Sequence, residues 1–356
     1  MDQDEERRDD YFKGRGAQIK TANKFLKASY VTEHIEGLDE PLLESPHTQV
    51  FFETPKKIVN KIDSPDLHGM YSMNPYQGCE HGCIYCYARN THEYYGFSAG
   101  LDFESKIIVK KNAPELLEKH ILHPKWHPVP IMLSGNTDCY QPQERKFGIT
   151  RKILQVMAKY RHPIGIISKN CLITRDLDIL QDLAKDNLVH VMISITTLNE
   201  ELRRIMEPRT ASALKRLRVV EELSKANIPV GIMNAPIIPG LNHHEIPQII
   251  KAAADHGART AGMTVVRLNG SIGKIFEDWL RKNFPDRFDK VWNQICSLHD
   301  GQVSDSKFGR RMRGAGTFAE VIHQLFSASK KKYFAGRSMP EYDLTKFRHG
   351  GSLSLF

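Results

Sequence analysis

Three of the six cysteines fall within eight residues: Cys79, Cys83 and Cys86, spaced C-x3-C-x2-C. A thiolate trio this compact, with Gly78 and Gly82 letting the backbone fold back, can wrap one metal centre. Closed structural zinc sites and ordinary cubane clusters take four protein ligands. Three cysteines on a four-iron cluster leave one iron open to a small molecule, and an open coordination position marks a catalytic site. Two plainer readings stand beside this one. Adding His81 completes a Cys3His zinc set, although knuckle ligands usually come as two separated pairs and here all four sit in one loop. Disulfides need an oxidising compartment. The first ten residues are charged and hold no apolar signal core, so pairing is not expected.

The wider string, Asn74-Pro-Tyr-Gln-Gly-Cys79-Glu-His-Gly-Cys83-Ile-Tyr-Cys86-Tyr-Ala-Arg89, carries a resemblance. C-x3-C-x2-C with an aromatic before the last cysteine, here Tyr85, resembles the signature of the radical SAM superfamily. The whole string is similar to its spore photoproduct lyase-like branch, and the likeness runs from about Gly14 to about Phe326. The resemblance implies a [4Fe-4S] cluster on Cys79, Cys83 and Cys86, with S-adenosyl-L-methionine at the open iron and Tyr85 beside it. It further implies an electron from a flavodoxin or ferredoxin, reductive cleavage of the sulfonium, and a 5′-deoxyadenosyl radical that takes hydrogen from a substrate. The substrate is left open between a small molecule, another protein and a nucleic acid. The rival from another class is a non-catalytic, zinc-containing nucleic-acid-binding protein.

Elements that could position such a loop follow from hydrophobic period. From residue 68 onward, short apolar runs alternate with amphipathic stretches. Strands are expected at Met70 to Asn74, Val129 to Ser134, Ile164 to Ser168, Leu188 to Ile195, Ile228 to Asn234 and Ala261 to Val266. Between them lie helix patterns at Pro114 to His120, Arg151 to Lys159, Leu177 to Asp186, Ala213 to Ala226 and Glu245 to His256. Thr150 is expected to cap the second helix. Near-continuous apolar strands joined by helices predict a parallel sheet covered on its outer face. The fold class expected is therefore α/β, a partial (β/α)6 barrel, which the resemblance also implies. Residues 107 to 109 are expected as an extra edge strand. Residues 1–65 read as an N-terminal extension disordered over 1–13, residues 66–275 as the barrel, and 276–356 as a basic, mainly helical extension.

In parallel barrels, reactive groups gather on loops after the C-terminal ends of strands. The cysteine loop follows the first strand. After the second come Ser134, Gly135, Asn136, Thr137 and Asp138, a stretch whose hydroxyl, amide and carboxylate groups suit the cofactor ammonium. By the resemblance, it takes the place of the superfamily's amino-group-binding motif. Ser194 and Thr196 alternate at the end of the fourth strand and are expected to reach the ribose. Arg209 offers a forked donor for the cofactor carboxylate. The resemblance carries Ile238, Gly240 and Val265 to the adenine. Cys139, just past the ammonium turn, is a candidate hydrogen-atom donor, against its alternative as a small core residue.

A formal charge of +8 is unevenly placed. Residues 303–356 hold ten Lys or Arg against four Asp or Glu, which raises nucleic acid as an anionic partner against ordinary solvated charge. No run of eighteen apolar residues exists, so no membrane helix is expected. With Cys139, Cys171 and Cys296 scattered, the chain is expected in a reducing cytoplasm.

Overall fold

The computed structural model describes residues 11–26, 47–67 and 70–350. Residues 1–10, part of the stretch expected to be disordered, lie outside it. Ten strands are β1 (Gln49–Glu53), β2 (Asn60–Lys61), β3 (Tyr71–Met73), β4 (Tyr76–Gln77), β5 (Lys106–Lys110), β6 (Ile131–Leu133), β7 (Ile164–Ser168), β8 (Val189–Ser194), β9 (Val230–Ile237) and β10 (Ala261–Val265). Six of them, in the order β10-β9-β8-β7-β6-β3, form the parallel sheet, and β2 adds an antiparallel edge at β3. The sheet is open, which fits a partial (β/α)6 barrel. Ile164 stands opposite Val189, and Val191 opposite Val230. All four are buried because helices such as Ile149–Lys159, Ala213–Lys225 and Ile246–Asp255 cover the outer face.

Two local expectations are corrected. Residues 107–109 do not edge the barrel. They form the middle strand of a separate three-stranded sheet, where β1 pairs in parallel and β4 antiparallel with β5. The apolar Val50-Phe51-Phe52 segment is the partner that draws them away. Thr150 does not cap its helix, which starts at Ile149 after Gly148 in the left-handed region. Its hydroxyl instead donates to the Cys139 carbonyl at 2.6 Å.

The extensions are bound into the core. Ile58 and Val59 join the main apolar cluster, as do Ile322 and Phe326 from the helix Gly316–Tyr333. The expected boundary at 275 falls inside the helix Ile272–Asn283. Near the N-terminus, Arg15, Gly16 and Ala17 are buried against the cysteine loop. A Cβ on Gly16 would lie 1.7 Å from the Gly82 carbonyl oxygen, so only glycine fits. Glu104 accepts the amides of Gly16 and Ala17 at 2.9 and 2.8 Å and pairs with Arg89. Both charged groups are fully buried.

Removing one member of a buried pair leaves an uncompensated charge. Glu104→Ala should therefore lower unfolding free energy by about 3–5 kcal/mol. Chemical denaturation checks this, and a loss within experimental error would show that Arg89 finds other partners.

Candidate cofactor and radical site

The cysteine loop runs from the end of β4 along the C-terminal rim of the sheet. Gly78 and Gly82 take φ values of 79° and 69°, the left-handed turns the spacing called for. The Cys79 amide donates to the Phe103 carbonyl at 2.9 Å, which ties the loop to the segment carrying Glu104. All three thiols border one cavity of about 540 Å³. Across it stand Ser134, Gly135, Asn136, Thr137 and Asp138, with Ser194 and Val265 on its walls. Residues from five strand ends thus converge, as the rim rule predicts.

The donor set fits an iron–sulfur cluster. Burial pushes the Cys79 thiol well up, and Asp138 and Cys83 add to it. Burial and then Glu207 push Cys83 up to about 12. Burial also raises Cys86. Three desolvated thiols that resist ionising alone are the ligands a metal cluster deprotonates as it binds. As they stand, no three His, Cys, Asp or Glu side chains among the described residues are gathered closely enough to hold an ion. The zinc alternative loses its fourth ligand. The His81 ring lies 3.4 Å from Asp138 through Nδ1 and 3.1 Å from Asn170 through Nε2. All six cysteines are unpaired.

The loop after β6 is held by its own hydrogen bonds. Ser134 has a φ of 73° and accepts the Cys139 amide at 2.7 Å. The Asp138 carboxylate accepts Tyr140 N–H at 2.9 Å, Ser168 Oγ–H at 2.9 Å and Lys169 N–H at 2.8 Å. Burial, the largest influence, would raise this carboxyl, yet His81 and the amides hold it below its ordinary value. Asp138 thus borders the cavity with its lone pairs largely taken. Asn136 differs. Its amide nitrogen donates to Thr91, and its carbonyl oxygen has no partner among the described residues.

Other expected residues are placed elsewhere. Thr196 lies below the cavity wall, donating to Glu207 at 2.7 Å and to the Ala235 carbonyl at 3.1 Å. Tyr85 borders the cavity, but its hydroxyl is bound to Glu207. Arg209 points away, with Nε donating to Gly14 at 3.0 Å and Nη1 3.3 Å from Glu80. Ile238 packs in a second apolar cluster, and the Gly240 turn lies against Val291 and Gln294. Ala235 and Pro236 reach the cavity in their stead. Cys139 is fully buried in the main core and does not border the cavity.

Sequence reasoning did not place four side chains at the site: Lys169, Arg267, Arg311 and Glu207. Lys169 directly follows β7 and borders the cavity, and its Nζ has no hydrogen-bond partner among the described residues; it stands 5.9 Å from the Tyr85 ring centroid. Reading the loop after the third strand as the others were read would have found it. Arg267 lies 5.8 Å from the Tyr87 ring centroid at the cavity wall. Arg311 also reaches the wall, donating to Asp66 at 2.6 Å and Ser64 at 2.7 Å. Arg310 of the basic extension pairs with Asp300 and Asp305. Glu207 is fully buried against Arg216, under the cysteine loop.

Such a site on such a sheet defines a radical SAM protein. The family model for the radical SAM superfamily matches residues 73–253, and the chain belongs to that superfamily. It is 31% identical over 234 residues to an uncharacterized protein of Mycobacterium tuberculosis (strain ATCC 25618 / H37Rv), covering 65% of this chain and 69% of the relative. It is 28% identical over 241 residues to an uncharacterized protein of Methanocaldococcus jannaschii, covering 68% and 86%. Among solved structures, spore photoproduct lyase complexed with dinucleoside spore photoproduct shares the fold, with a TM-score of 0.59 at 14% identity over 81% of this chain and 80% of that one. Family membership does not favour the non-catalytic zinc reading. No helix among the described residues is long and apolar enough to cross a membrane.

Burial is the largest influence on Glu207 and would raise it, but Arg216, Lys169, Tyr85 and Thr196 outweigh it and bring the carboxyl from 4.5 to about 2. A depressed native pKa stabilises the fold above the unfolded pKa, and that stabilisation is lost as pH falls from about 4.5 toward 2. The shift corresponds to roughly 3 kcal/mol. Glu207→Gln should thus be less stable than the parent at pH 7, with the gap closing across this acid window. A gap independent of pH in denaturation curves would refute the assignment.

Proposed function

We propose that the chain is a radical SAM enzyme whose cluster is held by Cys79, Cys83 and Cys86 and whose substrate is anionic and nucleic-acid-related. The observation that carries the enzyme reading is the convergence of the three thiols and the Ser134–Asp138 loop on one cavity at the strand ends. When bound, a [4Fe-4S] cluster and S-adenosylmethionine supply reductive cleavage to a 5′-deoxyadenosyl radical that takes a hydrogen atom from the substrate.

The chain's own residues do the positioning. Lys169 is the unpaired cation for the cofactor carboxylate, in place of Arg209. Asn136 offers its free carbonyl to the ammonium, while Asp138 keeps the turn in shape. Ser194 and Val265 border the space for ribose and adenine. Tyr85, fixed by Glu207, keeps the last cysteine's neighbourhood rigid. Buried walls exclude water, which protects a reactive carbon radical. Arg267, beside Tyr87, supports an anionic substrate, and the dinucleoside in the similar lyase supports nucleic acid as its class. A flavodoxin or ferredoxin supplies the electron.

Anaerobic reconstitution should load about four irons per chain, as a cubane requires. Reduced enzyme should then convert S-adenosylmethionine to methionine and 5′-deoxyadenosine. Cys79→Ala, Cys83→Ala and Cys86→Ala should each lose the iron and the cleavage while the fold persists by circular dichroism. Full iron loading in the triple variant would sink the reading.

Lys169→Ala should retain iron, since no thiol is touched. Its affinity for S-adenosylmethionine should drop by about one to two powers of ten, the loss of a charge-assisted hydrogen bond of about 1.5–3 kcal/mol. Calorimetry on the reconstituted variant measures this, and parent-like affinity would move the carboxylate site elsewhere.

A further inference from the structure

A second cavity, of about 380 Å³, lies behind His81 of the cysteine loop, and its lining residues Asn170 and Arg209 bond that histidine. It shares no lining residue with the cofactor cavity. Its walls come from the loops after β6, β7 and β8, and include Arg145, Asn170, Glu200, Arg203, Arg209 and Lys215. His81 separates the two spaces. The Arg209 amide donates to the His81 carbonyl at 3.3 Å, and Asn170 Nδ2 lies 3.1 Å from His81 Nε2. His81 stands between Cys79 and Cys83 in sequence and borders the cofactor cavity. One residue of the cysteine loop thus divides the outer cavity from the cofactor cavity.

The charge here is unbalanced. Arg203 is neutralised by Glu200 at 2.7 Å, and Arg209 shares Glu80 at 3.3 Å. Arg145 and Lys215 are exposed and have no side-chain partner among the described residues. The N-terminal end of the helix Ala213–Lys225, capped by Ser212, adds a partial positive charge beside them. Nor does any lining side chain carry a buried, unpartnered donor of the kind a captured small anion would use. Cations on long, exposed stems at a rim suit a docking face better than a small-anion pocket.

We propose that this face docks the acidic electron-transfer protein, of the flavodoxin or ferredoxin class, that reduces the enzyme. The inference rests on the radical SAM reading. In that chemistry the donor gives up one electron, the sulfonium accepts it, and a carbon–sulfur bond breaks. The inner side of the cysteine loop is taken by cofactor and substrate, so the electron enters from the outer side. A negatively charged donor steered to Arg145 and Lys215 arrives over His81, next to the cluster ligands.

The test compares two reductants on reconstituted enzyme carrying Arg145→Glu and Lys215→Glu together. Neither residue touches the cofactor cavity. With dithionite, 5′-deoxyadenosine formation and iron content should match the parent within about twofold. With reduced flavodoxin at low salt, the rate should fall about tenfold or more, as expected when a steering patch is reversed, and the difference should shrink as salt rises. Equal flavodoxin-driven rates in parent and variant overturn the proposal. Parallel loss with both reductants also overturns it, by assigning the residues to the cofactor site. Weakened binding of a single-stranded oligonucleotide with an unchanged flavodoxin-driven rate gives the face to nucleic acid and overturns it as well. Absence of cleavage by dithionite-reduced parent enzyme is a separate result, which defeats the radical SAM reading and the docking face with it.

Discussion

Glu104 is a fully buried carboxylate on which three distant segments meet. It takes the amides of Gly16 and Ala17 and the guanidinium of Arg89, while the adjacent Phe103 carbonyl takes the Cys79 amide. A desolvated charge is tolerated only when its lone pairs are filled. Filling them brings the N-terminal turn against Gly82, and Gly82 sets the path between Cys79 and Cys83. The cysteine loop is therefore shaped from outside by polar satisfaction, before any cluster contributes. A loop formed only by the metal would need no such support.

The same logic distributes charge around the cavity. Two buried carboxylates lie near the thiols, Asp138 and Glu207, and both are saturated by donors. The cations that border the cavity are freer: the side chains of Lys169 and Arg267 have no hydrogen-bond partner among the described residues. Fixed anions are thus screened locally, while cations still face the cavity. Such a field favours groups that bring negative charge into a low-dielectric space.

Much of this arrangement was legible from the chain. Six apolar runs became six parallel strands, and Ile164 to Ser168 agrees residue for residue. The cysteine spacing, the glycine turns and the loop after β6 all met at one cavity. What misled was local similarity without knowledge of side-chain partners. Ser194 and Thr196 alternate in sequence, but β8 ends at Ser194, so the period of two no longer governs Thr196. Arg209 has the right chemistry for a carboxylate, yet Glu80 and the Gly14 carbonyl hold it on the outer side. Lys169 was passed over because a single lysine after a strand carries no motif. Cys139 looked reactive by its neighbourhood in sequence, whereas its burial makes it a core residue. For Arg209 the deciding partners lie 195 and 129 residues away, and no local pattern reports them.

The opposing demands on the cysteine loop explain its two-sided construction. Radical chemistry needs a dry, closed inner space, because a carbon radical reacts with whatever it meets. Delivery of an electron needs no passage for a ligand, only close approach of a partner. His81 reconciles the two. It is 2% exposed, with its ring held by Asp138 on one side and Asn170 on the other, and its carbonyl is tied to Arg209. That single buried residue stands between the inner cavity and the outer one. The hydrogen bonds of Asp138 to Ser168 and Lys169 extend this partition into the end of β7, from which Lys169 also enters the cavity. Partition of the site and placement of its principal cation therefore follow from the same carboxylate.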